Sequence, residues 1–309
     1  MTGEINAKSY EEEFAPILEE RLKKEDFHET MDAVTKLTVG LAVYTKDEKE
    51  DEYRECADLL KEVCIQLVSK RINSYVNDIT ADNPSETMDE GRLHTNLTMI
   101  EKSVTRELIG VAGACADSGE LSKEKTDEFN FRFRIFLTEY MFLSQIKLDW
   151  YLMRNSETAQ AFFDSVTRGY KLPQNIKDTL KDACKSVAKG ESDSIQNLQD
   201  SLPSKILKEI HSILGKNENV GSVFSTPFYA VLSSVKNIFY SCQAAIISCR
   251  NELLKNMNEE SKNRAEEAFE ELSSGYAHIA DVMFSSILDL LIKMAEVPED
   301  ESAEEAQAE

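Results

Sequence analysis

The sequence predicts an all-α protein, a bundle of about nine antiparallel helices, and three observations carry that expectation. Only 11 Gly and 6 Pro punctuate the 309 residues, while Glu, Lys, Leu and Ala are abundant. Few breakers among many helix formers favour long helices over short strands and turns. Apolar residues also recur at three-to-four spacing over several turns in succession. Finally, capping residues and prolines fall where those apolar runs begin and end.

The elements follow in order. From Leu60 the apolar positions run Val63, Cys64, Leu67, Val68, Ile72, Tyr75, Val76 and Ile79, one face of a helix. Asn83-Pro84-Ser85-Glu86 marks a break before a second helix over residues 88–116. Asp117-Ser118-Gly119 breaks the chain again ahead of an aromatic segment beginning at Phe129. There Phe129, Phe131 and Phe133 alternate with Arg132 and Arg134 like a strand, then give way to an apolar block whose only acid is Glu139. The helical neighbours decide the ambiguity: the segment is read as the start of a long helix with most of its aromatics in the core. Ser201-Leu202-Pro203 and Thr226-Pro227 read as helix starts, a capping hydroxyl before a proline. One or two shorter helices are expected between Pro173 and Gly215, in a loosely packed middle region. From Phe228 the period continues through Leu232, Val235, Phe239, Cys242, Ile246, Cys249 and Leu253. The last segment gives Ala265, Phe269, Leu272, Tyr276, Ile279, Met283, Ile287 and Leu290. Residues 296–309 are acidic without a base and read as a disordered tail.

Charge narrows the partners. A net charge of −22 opposes nucleic acids and anionic membrane surfaces, which are bound through clustered Lys and Arg. No N-terminal signal peptide and no apolar run of membrane-spanning length is seen, so a cytoplasmic protein is expected. The six cysteines, Cys56, Cys64, Cys115, Cys184, Cys242 and Cys249, include no Cys-x-x-Cys pair, and read as reduced core residues. None of the four histidines has a second His or a Cys three or four residues on, and the glycine-rich phosphate-binding patterns are missing. No cofactor, no metal and no catalytic residue is assigned, and the chain is read as a non-enzyme. Lys70, Arg71, Arg132 and Arg134 are bases near apolar faces. They could frame an anion site, but the simpler expectation is that they lie along apolar surface with their heads in water.

Several segments, taken in their order and spacing, resemble the 14-3-3 family. Thr226-Pro-Phe-Tyr-Ala-Val-Leu-Ser-Ser-Val-Lys-Asn-Ile-Phe-Tyr240 is similar to the family's seventh helix. Thr138-Glu-Tyr-Met-Phe-Leu-Ser-Gln145 is similar to its fifth, and Glu25-Asp26-Phe27 with Met31 to its second. The resemblance spans most of 8–170 and 226–295. It implies a cup-shaped helical domain over 1–295 in which 171–225 is a helical insertion between the sixth and seventh helices. It also implies a homodimer that binds extended protein segments carrying phosphoserine or phosphothreonine.

The family's phosphate clamp carries over only in part. Arg71, with Lys70 beside it, matches one third-helix arginine, and the further one falls on Tyr75 or Ser74. The third-helix lysine falls on Val63 or Cys64. The fifth-helix Arg-Tyr pair becomes Met141 and Phe142, while Arg134 matches a lysine upstream. The peptide-holding asparagines of the seventh and ninth helices become Val235 and Asp289. A phosphate needs convergent charged donors, each contributing about 1.5–3 kcal/mol, so their loss weakens phosphate binding. The resemblance therefore implies an adaptor that binds protein segments in a concave groove, with weakened or lost dependence on phosphorylation. The alternative is a helical scaffold that binds through the 171–225 insertion or the acidic tail.

Overall fold

The computed structural model describes residues 27–82, 90–154, 167, 169–191, 193–216 and 220–296. Among these residues the protein is all-α, with eight helices and no strand. They are α1 (Phe27–Lys46), α2 (Glu50–Asp82), α3 (Glu90–Asp117), α4 (Lys123–Arg154), α5 (Gln174–Ala188), α6 (Ser194–Leu214), α7 (Thr226–Leu254) and α8 (Glu259–Glu296). The Asn83–Glu86 break lies outside the described residues, as do the expected acidic tail beyond Glu296 and the resemblance carried by Glu25 and Asp26. The chain divides into two compact units, Met1–Leu148 and Asp149–Glu309.

In the first unit α1 packs on α2 and α3. Val34, Leu37 and Leu41 of α1 are fully buried, as is Leu60 of α2. Gly40 lets α1 and α2 approach closely, since a Cβ there would sit 3.2 Å from Cys56 Sγ. The Cys56 thiol in turn donates to the Leu37 carbonyl at 3.4 Å. Two buried threonines satisfy their hydroxyls within α1, Thr38 on Val34 O and Thr45 on Leu41 O. The helix ends with Glu48 in the left-handed region (φ 57°), and Lys49 N–H returns to Tyr44 O at 3.0 Å. That is the 6→1 closure of a Schellman end, with glutamate where glycine is usual.

The Phe-x-Phe-x-Phe segment is helical, as expected. Phe129, Phe133, Phe136 and Tyr140 recur at four, three and four residues, and all are buried. Successive rings are 5.8, 5.6 and 6.3 Å apart, within the range in which aromatic pairs attract. Phe131, off that stripe, is only half-buried. The alternation therefore came from two faces of a helix.

The second unit is a four-helix assembly in which each of α5, α6, α7 and α8 touches the other three. The segment expected to be loosely packed supplies half of it. Helix α5 buries Ile176, Leu180, Cys184 and Val187, and α6 buries Leu198, Leu202, Ile206 and Ile210. These i, i+4 stripes meet Phe228, Leu232, Val235, Phe239 and Ile246 of α7 and Phe269, Leu272, Tyr276, Phe284 and Leu288 of α8. The Tyr276 hydroxyl donates to the Phe239 carbonyl, so the buried phenol is satisfied. Gly275 permits the α6–α8 approach, because a Cβ there would lie 2.8 Å from Ile195 Cγ2.

Two expected helix starts are corrected. Ser201-Leu202-Pro203 starts nothing: Pro203 lies inside α6. Burial of the apolar stripe on both sides of the proline outweighs the missing hydrogen bond, so the period runs through it. At α7 the cap is Ser225, whose hydroxyl accepts from Phe228 N, and Thr226 is already helical. The signal was shifted by one residue because two hydroxyls precede the proline.

Helices α7 and α8 are long and apolar enough to cross a membrane by length and composition, although no uninterrupted apolar run is. Of their most apolar stretches, 67% and 50% are buried within the protein, which is how helices that build a core behave.

Replacing Pro203 by Ala restores an N–H in the interior of α6. It is expected to stabilise the second unit by up to about 3 kcal/mol, seen as a higher denaturation midpoint; an unchanged or lower midpoint would contradict this account of α6. Deleting 171–225 removes two of the four helices of this unit, and cooperative unfolding of its remainder is expected to disappear in calorimetry. A deletion variant that keeps that transition would show the two helices to be dispensable.

Candidate functional site

The charged side chains that could engage a ligand in the first unit gather where α4 passes α2. Helix α4 begins at a serine cap, with Lys125 N–H on Ser122 Oγ at 3.2 Å. From this start the helix carries Phe129, Phe133 and Phe136 inward and Arg132 toward α2. Arg132 lies over the Tyr53 ring, 4.2 Å from its centroid. Its guanidinium pairs with Glu50 through Nη2 and approaches Glu128 at 3.8 Å. Burial lowers the pKa of Arg132, and the aromatic face beneath it and the carboxylates beside it favour the charged form.

Two lysines repeat the arrangement. Lys61 lies 3.3 Å from Asp58 and 3.9 Å from Glu139, with only 12% of its side chain exposed. Lys125 lies 3.0 Å from Glu48 and 2.9 Å from Glu128, and hydrogen bonds to Glu128 and Glu48 raise its pKa. Glu139, the lone acid of the apolar block, is thus explained as the partner of Lys61. An anion approaching any of these three bases would have to displace a carboxylate already in place.

The Tyr53 phenol is buried beneath this cluster and its hydroxyl has no hydrogen-bond partner among the described residues. Burial pushes its pKa well above the usual tyrosine range, with Cys56, Glu139 and Glu128 adding to the effect. Among the described residues, no three of His, Cys, Asp and Glu converge as a metal ion would require.

The candidate residues fall as follows. Lys70 on α2 and Arg134 on α4 are exposed, and neither is ion-paired with a described residue. Arg71 and Tyr75 are on α2, with side chains outside the described residues. Met141 follows Arg134 by two turns on the same outer face of α4 and is 47% exposed, whereas Phe142 is fully buried. These two adjacent residues, which the resemblance would align with an Arg-Tyr pair, therefore point in different directions. Val235 and Asp289 belong to the second unit, Val235 fully buried on α7 and Asp289 exposed on α8.

Residue-type reasoning singled out Arg132 but expected its head to reach water; instead it is held by carboxylates. Lys61 and Glu139 were not proposed as a pair. The Arg132–Glu128 spacing of four was a readable signal, while Glu50 and Glu139 became partners only through tertiary packing.

Tyr53→Phe keeps the ring under Arg132 and removes an unpartnered hydroxyl. It is expected to leave stability at neutral pH unchanged or raise it by about 1–3 kcal/mol. The alkaline limb gives a second readout. Because the folded phenol is raised, Tyr53 contributes stability that is complete below the unfolded value near pH 10 and is lost as pH rises beyond it. The variant should therefore lose stability less steeply above about pH 10, measured by denaturant midpoints across pH. A destabilised variant, or one with an unchanged alkaline slope, would contradict the environment described for this hydroxyl.

No protein-family model matches the chain, and neither does any curated protein or solved structure.

Proposed function

We propose that this protein is a non-enzymatic, 14-3-3-like adaptor of nine-helix, cup-shaped plan that binds extended protein segments with weakened or lost dependence on phosphorylation. One observation carries the reading. The partly buried bases between α2 and α4, Lys61, Lys125 and Arg132, are each matched by two carboxylates. A phosphate carries nearly two negative charges and needs convergent, unmatched donors, which those bases do not offer. The clamp positions point the same way, with Met141 exposed and apolar and Phe142 in the core.

A segment with apolar side chains and a single acid suits the outer face of α4 better than a phosphopeptide does. Met141 supplies apolar surface, and Arg134 two turns earlier supplies a positive charge that no described carboxylate matches. The protein is proposed to act in the cytoplasm, as a homodimer, without cofactor, and without nucleic-acid or membrane partners, in keeping with its net charge of −22. The 171–225 segment enters this reading as scaffold, because its apolar stripes are committed to the second unit's core.

Matched pairs of phosphorylated and unphosphorylated peptides, titrated by fluorescence anisotropy at physiological salt, test the proposal. The two forms are expected to differ by less than about tenfold, 1.4 kcal/mol. Substituting Lys70 and Arg134 with Glu should weaken segments that carry an acid and spare wholly apolar ones. Submicromolar affinity for a generic phosphoserine peptide, lost on dephosphorylation, would overturn the reading.

A further inference from the structure

The sequence leads one to expect reduced core cysteines, and Cys56, Cys64, Cys184 and Cys242 are buried free thiols. Cys249 differs. It sits on α7 one turn beyond Ile246, half-buried, where α5 crosses. The Cys184 thiol of α5 reaches the Ile246 carbonyl at 3.9 Å, which sets it against the turn of α7 that carries Cys249. Each cysteine is a free thiol. Lys181, one turn before Cys184 on α5, and Lys185, the residue after it, favour a charged Cys249, opposed by Glu252 of α7, and Lys185 also pairs with Asp182 at 3.8 Å. Those lysines belong to an exposed row, Lys177, Lys181, Lys185 and Lys189, at four-residue spacing along α5.

We propose that Cys249 and Cys184 form a hydroperoxide-responsive thiol pair, Cys249 being the oxidised residue and Cys184 the resolving one. The two positions divide the chemistry. The hydrogen bond from Cys184 and the nearby lysines lower the pKa of Cys249, against burial and Glu252. The Cys184 thiol is held protonated by its bond to Cys249 and by burial. A partly exposed thiol whose thiolate is favoured by neighbouring cations is the nucleophile that hydroperoxides select.

The steps balance. The Cys249 thiolate attacks the O–O bond of a hydroperoxide, forming an S–O bond. The O–O bond breaks, and the leaving alkoxide or hydroxide takes up a proton from solvent. Cys184 then loses its proton, and its sulfur attacks the sulfur of the Cys249 sulfenic acid. An S–S bond forms, the S–O bond breaks, and water departs. Two thiols are oxidised to one disulfide while one hydroperoxide is reduced to water and an alcohol, or to two waters. The product ties α5 to α7 across the core of the second unit and closes the chain between residues 184 and 249.

Cys115 provides an internal control. It too is half-buried, but burial and Glu120 raise its pKa. The full-length reduced protein would be treated with hydrogen peroxide at neutral pH, blocked with iodoacetamide and digested with trypsin. The expected product joins the peptide Asp182–Lys185 to Asn237–Arg250, and fragmentation assigns the bond to Cys249 and not Cys242. Cys249 should react roughly tenfold faster than Cys115. In Cys184→Ala, dimedone should trap a sulfenic acid at Cys249, and in Cys249→Ser the cross-link should vanish. Should Cys184→Ala fail to fold, the exposed double substitution Lys181→Gln with Lys185→Gln keeps both thiols and should slow the cross-link severalfold. A cross-link that forms as fast without the lysines would overturn the proposal. So would oxidation of Cys115 ahead of Cys249, or oxidation of Cys249 with no bond to Cys184.

Discussion

The first unit's candidate site turns on one contact, Arg132 lying over the Tyr53 ring with carboxylates at its edge. A guanidinium can do this where an ammonium cannot, because its planar face stacks while its in-plane donors remain available. The stacking fixes which face of α4 turns to α2. Once that face is fixed, the aromatic stripe from Phe129 to Tyr140 is directed inward and Glu139 comes within reach of Lys61. Arg134, two residues on, is turned outward by the same geometry, since a helix advances about 100° per residue. A single aromatic–cation contact thus separates the bases held by the fold from those left exposed.

The acid excess explains why the held bases are so thoroughly matched. With 57 acidic against 35 basic residues, a base entering a helix seam meets more than one carboxylate. Each such pair stabilises little where it is exposed, and more where Arg132 and Lys61 are largely covered. The functional consequence exceeds the energetic one: matched bases do not recruit anions. The bases of this seam therefore offer a phosphate no convergent set of unmatched donors.

Helix type and span were legible in the sequence because burial in both units follows the same period. The stripes through Leu60–Val68, Phe228–Ile246 and Phe269–Leu288 recur at the spacing the residues display, and the structure buries those positions. The Gly-, Ser- and Asn-rich segments around α5 and α6 misled, since composition at the connecting turns hid the regular four-residue stripes between them. Pro203 misled for a related reason. Local propensity assigns a proline to a helix start, but four buried leucine and isoleucine side chains on one face hold the helix through it. Ser225 and Thr226 could not be told apart as caps, because either hydroxyl satisfies the same local rule. At the candidate site, Arg134 and Met141 share a face by spacing alone. The opposite fates of adjacent Met141 and Phe142 needed to be seen against the core.

The same contrast between spacing and tertiary placement governs the thiols. Cys242 and Cys249 are seven residues apart on one helix face, which suggests a shared environment. In the fold they diverge. Cys242 lies in the core beside Tyr276, and burial pushes its pKa up, whereas Cys249 lies near the edge of the α5–α7 contact, under two lysines. A helix face is a stripe whose solvent exposure changes along its length as partners begin and end. Helix α5 carries its lysines past one of these cysteines, and that crossing gives the second a chemistry its spacing does not reveal. With lysines of α5 beside it, Cys249 differs from the equally half-buried Cys115, which lies beside Glu120, and reactivity is expected to concentrate at Cys249.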